Sequence, residues 1–162
     1  MTQAAHSTPT ISTPTAAIPD VSEPICDEFS VRISSVAAAS SVLERDPAGQ
    51  WVGRLRRITT AKLRVWGLAP LVNDAELLVS ELVTNALRYG EGREVELRLV
   101  ITLQGLLIAV NDGSAHRPQL GFVGACSETG RGLLLVAAFS DDWGVSPDGT
   151  TTWCTLKTQG AR

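Results

Sequence analysis

The stretch "SELVTNALRYG", residues 80–90, reads as the second half of an amphipathic helix with two polar residues at the edge of its apolar face. Counting about 100° per residue from Leu78, the apolar residues Leu82, Val79, Ala86, Val83 and Leu87 fill an arc from about 40° to about 180°. Asn85 falls at about 340° and Glu81 at about 300°, just beyond Leu78. The acid and the amide are neighbours at i and i+4, close enough to act on one ligand. On this helix alone, two readings stand level. Glu is a good helix former and suits a solvated border, whereas a mid-helix Asn is intrinsically unfavourable and asks for a reason. The pattern predicts a helix from about Asp74 to Tyr89, stopped by Gly90.

Two later segments have the chemistry that such a pair would need. "VNDGS", residues 110–114, ends an apolar strand with Asp112 followed by Gly113. A carboxylate there can accept from an exocyclic amine, and a glycine lets a ring approach the backbone closely. "ETGRGLLL", residues 128–135, places Gly130 and Gly132 at the opening of a helix, with Arg131 between them. The free N–H groups and positive dipole end of a helix N-terminus suit phosphates. Each short motif is weak alone; their order, each on a fitting element, is specific.

The rest of the chain frames these segments. Residues 1–27 are rich in Thr, Ser, Pro and Ala without apolar period, so they read as a disordered tail. "EFSVRI" alternates as a strand, and "SSVLE", residues 40–44, offers a second short strand or a continuation of the first. Asp46 and Pro47 open a helix in which Trp51, Leu55, Ile58, Leu63 and Trp66 recur at near-helical spacing, with Gly67 as its stop. Its basic residues Arg54, Arg56, Arg57, Lys62 and Arg64 form either a solvated face or a docking face for an acidic partner. "EVELRLVITL", a turn at "QG" and "LLIAVND" read as two strands. "RGLLLVAAFS" is a compact helix, and "DDWGVSP" and "TTTWCTLKT" are strands joined by a turn at Asp148-Gly149. The order strand, helix, helix, strand, strand, loop, helix, strand, strand predicts an α+β two-layer sandwich, a mostly antiparallel sheet with helices on one face. The domain is expected over residues 28–158, with a short tail at 159–162.

Bulk properties narrow the classes. The 162 residues are 44% hydrophobic and 19% charged, enough for one domain with a core. A net charge of −3 offers no footprint for nucleic acid or an anionic membrane. Three cysteines, Cys26, Cys126 and Cys154, lack C-x-x-C spacing, which argues against a disulfide framework or a zinc site. No apolar run has the length of a membrane span and no signal peptide is evident, so a cytoplasmic protein is expected.

"ELLVSELVTNAL", "VNDGS", "TGRGLLLV" and "GTTTWCTL" together resemble the N, G1, G2 and terminal boxes of the GHKL ATPase superfamily. The resemblance runs from about Val42 to Leu156, and is closest to the bacterial anti-sigma-factor serine kinases of the small actinobacterial regulator type. It implies a Bergerat ATP-binding fold, with ATP between helices and sheet under a lid at roughly residues 115–129. Carried over residue by residue, Asn85 would ligand Mg²⁺ and Glu81 would be the general base. Asp112 would accept the adenine amine, with Gly113 admitting the ring. Thr129, Gly130, Arg131 and Gly132 would bind phosphates, and Thr151 or Thr152 would support the Asp112 contact. The resemblance further implies a serine/threonine kinase that holds a sigma factor and phosphorylates a serine of its anti-anti-sigma antagonist, and it suggests a homodimer. A module of the same fold that binds ATP and captures a partner without phosphotransfer is the alternative. An ATPase fragment of a DNA-handling or chaperone machine is disfavoured, because no transducer domain is seen.

Overall fold

The apolar arc of the opening helix buries as its periodicity predicts. In the computed structural model this helix spans Val72–Tyr89, with Ala75, Leu78, Val79, Leu82, Val83 and Ala86 buried. It starts two residues before Asp74, because a 3-10 turn at Ala69–Leu71 leads directly into it. The structure describes residues 13–19, 24–34, 47–90, 92–115 and 131–158. Expectations for residues 1–12, the strand at 40–44, Asp46, most of the lid including Cys126, Thr129 and Gly130, and the tail at 159–162 lie outside these residues.

The described elements follow the predicted order: β1 (Asp27–Ile33), α1 (Pro47–Val65), α2 (Val72–Tyr89), β2 (Val95–Ile101), β3 (Gly105–Asn111), α3 (Arg131–Phe139), β4 (Asp142–Val145) and β5 (Thr151–Lys157). The strands form one sheet in the order β1-β2-β3-β5-β4, each neighbour antiparallel to the next. The three helices lie on one face, giving an α+β sandwich.

Local chemistry explains the boundaries. Gly67 takes φ +74°, the left-handed conformation that glycine adopts without a Cβ penalty. Leu68 N–H then bonds Leu63 O at 2.8 Å and Gly67 N–H bonds Arg64 O at 3.1 Å. These paired bonds close α1 in a Schellman motif and satisfy its last carbonyls. Trp66 Nε1–H donates to Asp27 Oδ2 at 2.6 Å, pinning the end of α1 to β1. The Lys62 ammonium lies over the rings of Phe29 and Trp66, so part of the basic face of α1 is engaged with aromatic neighbours.

The strands divide their side chains between two faces. Leu97, Leu99, Ile108, Val110, Cys154 and Leu156 face the helices and pack with Leu78, Val79, Leu82 and Val83. Val100, Leu107, Ala109 and Trp153 form a second apolar cluster, to which Ala16 and Ile18 add themselves. Here the chain departs from the expectation of a structureless tail. Residues 13–19 contact the sheet, with Thr15 in a parallel bridge to Val145. The reason is an apolar outer sheet face carrying Trp153, which gains by being covered. Burial also raises the thiol pKa of Cys154 well above its ordinary value, as expected for an inert core cysteine.

Candidate functional site

α2 carries Glu81 and Asn85 half-buried at the edge of its packed face, where the helical wheel places them. The decisive contact comes from α3. Gly132, the second residue of α3, is buried so close to the pair that a Cβ added to it would lie 2.6 Å from Glu81 Oε2 and 3.5 Å from Asn85 Nδ2. The bare glycine thus lets the first turn of α3 close on the acid and the amide. Backbone N–H groups of a first helical turn have no partner within the helix. The fold therefore joins an anion-favouring helix end to an acid and an amide over about 50 residues of sequence. Arg131, the first residue of α3, is exposed beside Gly132.

The third component arrives on β3. A Cβ at Gly90, the cap of α2, would lie 3.4 Å from Asp112 Cβ, which puts Asp112 on the helix-bearing side of the sheet at the end of α2. Its backbone N–H bonds Thr150 O at 3.1 Å. Its Oδ1 accepts from both Ser114 N–H and Ser114 Oγ–H at 2.8 Å, while the other oxygen takes part in neither bond. Gly113 follows at φ +64°, a conformation that favours glycine. The Arg93 guanidinium donates to Gly113 O. Ser114 and Arg93 were not singled out from the sequence. For Ser114 a signal existed, since an Asp commonly accepts from the residue two places on in an Asx turn.

The two candidate threonines separate by face. Thr151 pairs with Asn111 across β3 and β5, and its Oγ1 accepts from Asn111 Nδ2 at 2.9 Å. That places Thr151 with Trp153 on the outer side, away from the helices. Thr152 pairs with Val110 and shares the helix-facing side with Cys154 and Leu156. Strand alternation thus puts the two threonines on opposite faces, with Thr152 on the side of the helices.

Burial raises the carboxyl pKa of Glu81 above the ordinary range, and the charge of Arg88 pulls it partly back. A raised pKa brings a carboxylate base closer to working pH. Arg88 also lines a groove of about 560 Å³ between α1 and α2, together with Gly49, Val52, Gly53, Arg56 and Leu87. Among the described residues no cluster of three or more His, Cys, Asp and Glu side chains could hold a metal ion. A Mg²⁺ ion here would use Asn85 and phosphate oxygens, which suits an ion that keeps several waters and needs few protein ligands. Among the described residues no helix is long and apolar enough to cross a membrane.

An antiparallel sheet backed by helices, with an acid–amide pair on one helix, a glycine-opened helix end against it and an Asp-Gly at a strand end, defines a GHKL-type ATPase domain. The chain matches the family model described as "Histidine kinase-like ATPase domain" over residues 44–156, and it belongs to that family. A search of curated proteins found no match to the chain.

Proposed function

We propose that this protein is an ATP-dependent protein serine/threonine kinase and anti-sigma factor, acting on an anti-anti-sigma antagonist. The observation that carries the catalytic part is the seating of Gly132 against Glu81 and Asn85. It puts a phosphate-favouring helix end beside a carboxylate whose burial disfavours its charge. Asp112 would receive the adenine amine on the oxygen that Ser114 leaves available, and Thr152 would back that contact. Asn85 would hold Mg²⁺, which supplies charge neutralisation on the phosphates.

In the transfer, Glu81 accepts the proton of the partner's serine hydroxyl. The serine oxygen forms its bond to the γ-phosphorus as the bond from that phosphorus to the bridging oxygen breaks, and ADP leaves with the electron pair. Catalysis of this kind rests on positioning and charge stabilisation. The choice of a protein substrate is supported by the α1–α2 groove. α1 carries Arg54, Arg56, Arg57, Lys62 and Arg64 and no acid, in a chain whose net charge is −3. Arg56 and Arg88 on the groove suit an acidic partner segment, and Arg88 connects it electrostatically to Glu81.

Incubating the purified protein with radiolabelled ATP, Mg²⁺ and candidate antagonists tests the reading. Labelled antagonist, lost on Glu81→Ala, is the expected result. No ATP binding would overturn the reading, and binding without transfer to any antagonist would leave a partner-capture module.

A further inference from the structure

Residues 13–19 are bound to the part of the sheet that supports the Asp112 loop. Val145, the last residue of β4, is engaged twice: its N–H donates to Pro14 O and its carbonyl accepts from Ala16 N–H, each at 3.0 Å. Trp153 Nε1–H donates to Ala16 O at 3.2 Å. Ala16 and Ile18 cover the outer cluster of Val100, Leu107, Ala109 and Trp153. The segment is thus a strap that extends the sheet edge and roofs its apolar outer face.

The β4–β5 turn begins at the next residue. Ser146 N–H bonds Thr151 O at 2.8 Å, and Thr151 N–H bonds Ser146 Oγ at 3.0 Å. Gly149, at φ +81°, is buried against the loop after Asp112, where a Cβ on it would lie 3.1 Å from Ala115 O. Thr150 O accepts the Asp112 N–H at 3.1 Å. The turn therefore touches the Asp112–Ala115 segment at both ends, and the strap holds the strand that enters the turn.

We propose that residues 13–19 are a positioning strap for the nucleotide site. Docked on β4, the strap holds turn 146–150 and with it the backbone that presents Asp112; released, it loosens both. The inference rests on the ATP-site reading above. The attachment suits a reversible element. Its described contacts include two backbone bonds to Val145, one indole bond and two modest apolar side chains, and local opening of such a segment costs less than global unfolding. Linkage also makes the effect reciprocal: if the strap tightens nucleotide binding, nucleotide must tighten the strap by the same factor.

The test uses the full chain with a fluorescent ADP analogue and Mg²⁺. Ala16→Pro removes the N–H that Val145 O accepts, and Ile18→Ser thins the apolar cover. Both variants should weaken nucleotide binding about fivefold or more, the lower end of typical coupling. Amide exchange should quicken at Val145, Thr151 and Asp112. In the unsubstituted chain, nucleotide should slow exchange at Ala16 and Val145. Faster exchange at Val145 with unchanged nucleotide affinity would overturn the strap inference alone. If a variant keeps its strap protected, the reciprocal arm decides, and exchange at Ala16 and Val145 that ignores nucleotide overturns the inference. A chain that binds no nucleotide refutes the ATP-site reading and the strap inference with it.

Discussion

Gly132→Ala separates the geometry of the site from the stability of the fold. The added methyl would sit 2.6 Å from Glu81 Oε2, whereas ordinary contact begins at 3.4 Å, so the carboxylate must retreat by about 0.8 Å. The atom displaced is the far end of a flexible side chain, so the strain is easily relieved. Gly132 lies in a helix and has no left-handed φ, so alanine fits its backbone and brings up to about 1 kcal/mol of helix propensity. The variant should therefore melt at or slightly above the temperature of the parent. Phosphoryl transfer should suffer, because misplacing a reacting group by about 1 Å can cost about 100-fold. We expect the single-turnover rate with labelled ATP to fall about 10- to 100-fold, with a smaller change in nucleotide affinity. Transfer at the parental rate would refute the claim that Gly132 sets the position of Glu81. A rate loss matched by a fall in melting temperature would show that the methyl disrupts packing instead.

Three further substitutions probe the same site. Asp112→Asn keeps an oxygen for Ser114 but can place a donor against the adenine amine; ATP affinity should fall at least about tenfold with the melting temperature nearly unchanged, as calorimetry will read, since a bond to a charged group is worth about 1.5–3 kcal/mol. Thr152→Val should weaken nucleotide binding, whereas Thr151→Val should leave affinity intact and cost up to about 1 kcal/mol of stability by removing the nearer of two threonine acceptors of Asn111 Nδ2; the reverse pattern in paired titrations and thermal melts would overturn the assignment by face. Glu81→Gln should abolish transfer yet stabilise the protein at neutral pH. The folded pKa of Glu81 is raised, so its favourable contribution is complete below the unfolded value, about 4.3, and is lost as pH rises through the folded value. The melting temperatures of variant and parent should thus converge in acid and separate as pH rises, and a constant gap from pH 4 to pH 8 would contradict the burial of this carboxyl.

What the sequence made legible follows from the periodicity of each element. α2 shows its buried face because six of its apolar positions bury together, and that arc fixes Glu81 and Asn85 at its edge. β3 announces itself as an apolar run, and the Asp148-Gly149 turn that leads into β5 is signalled by its chemistry, with Gly149 at positive φ. The choice between Thr151 and Thr152 was not legible, because a shift of one residue in register exchanges the two faces of a strand. The pairing of Thr151 with Asn111 gives the face of each. The strap was hidden for a different reason. Its described contacts are with a strand edge and an indole 129 residues or more away, and its apolar cover includes Ala16 and Ile18, so the Thr/Ser/Pro-rich composition of the region masks it. The contact of Gly132 with Glu81 was likewise invisible, since a glycine at a helix opening reads the same whether it admits a neighbour or not.

Glu81 itself is poorly explained as a structural residue. Its carboxyl is half-buried, its charge is disfavoured by that burial, and among the described residues Arg88 relieves it at a distance. Among the described residues no donor forms a hydrogen bond to it, in contrast to Asp112, which Ser114 satisfies twice. A packed helix border gains nothing from such a group, and glutamine or alanine there would serve α2 at least as well. Stability is thus given up at the one position where the first turn of α3 arrives without a side chain. A carboxylate with a raised pKa, without a hydrogen-bond donor among the described residues and facing a phosphate-favouring helix end, is suited to taking a proton from an attacking hydroxyl. Under the proposed function, Asn85, neutral and one turn further on, would serve the other need of the same seam: an oxygen ligand that adds no negative charge beside the phosphates.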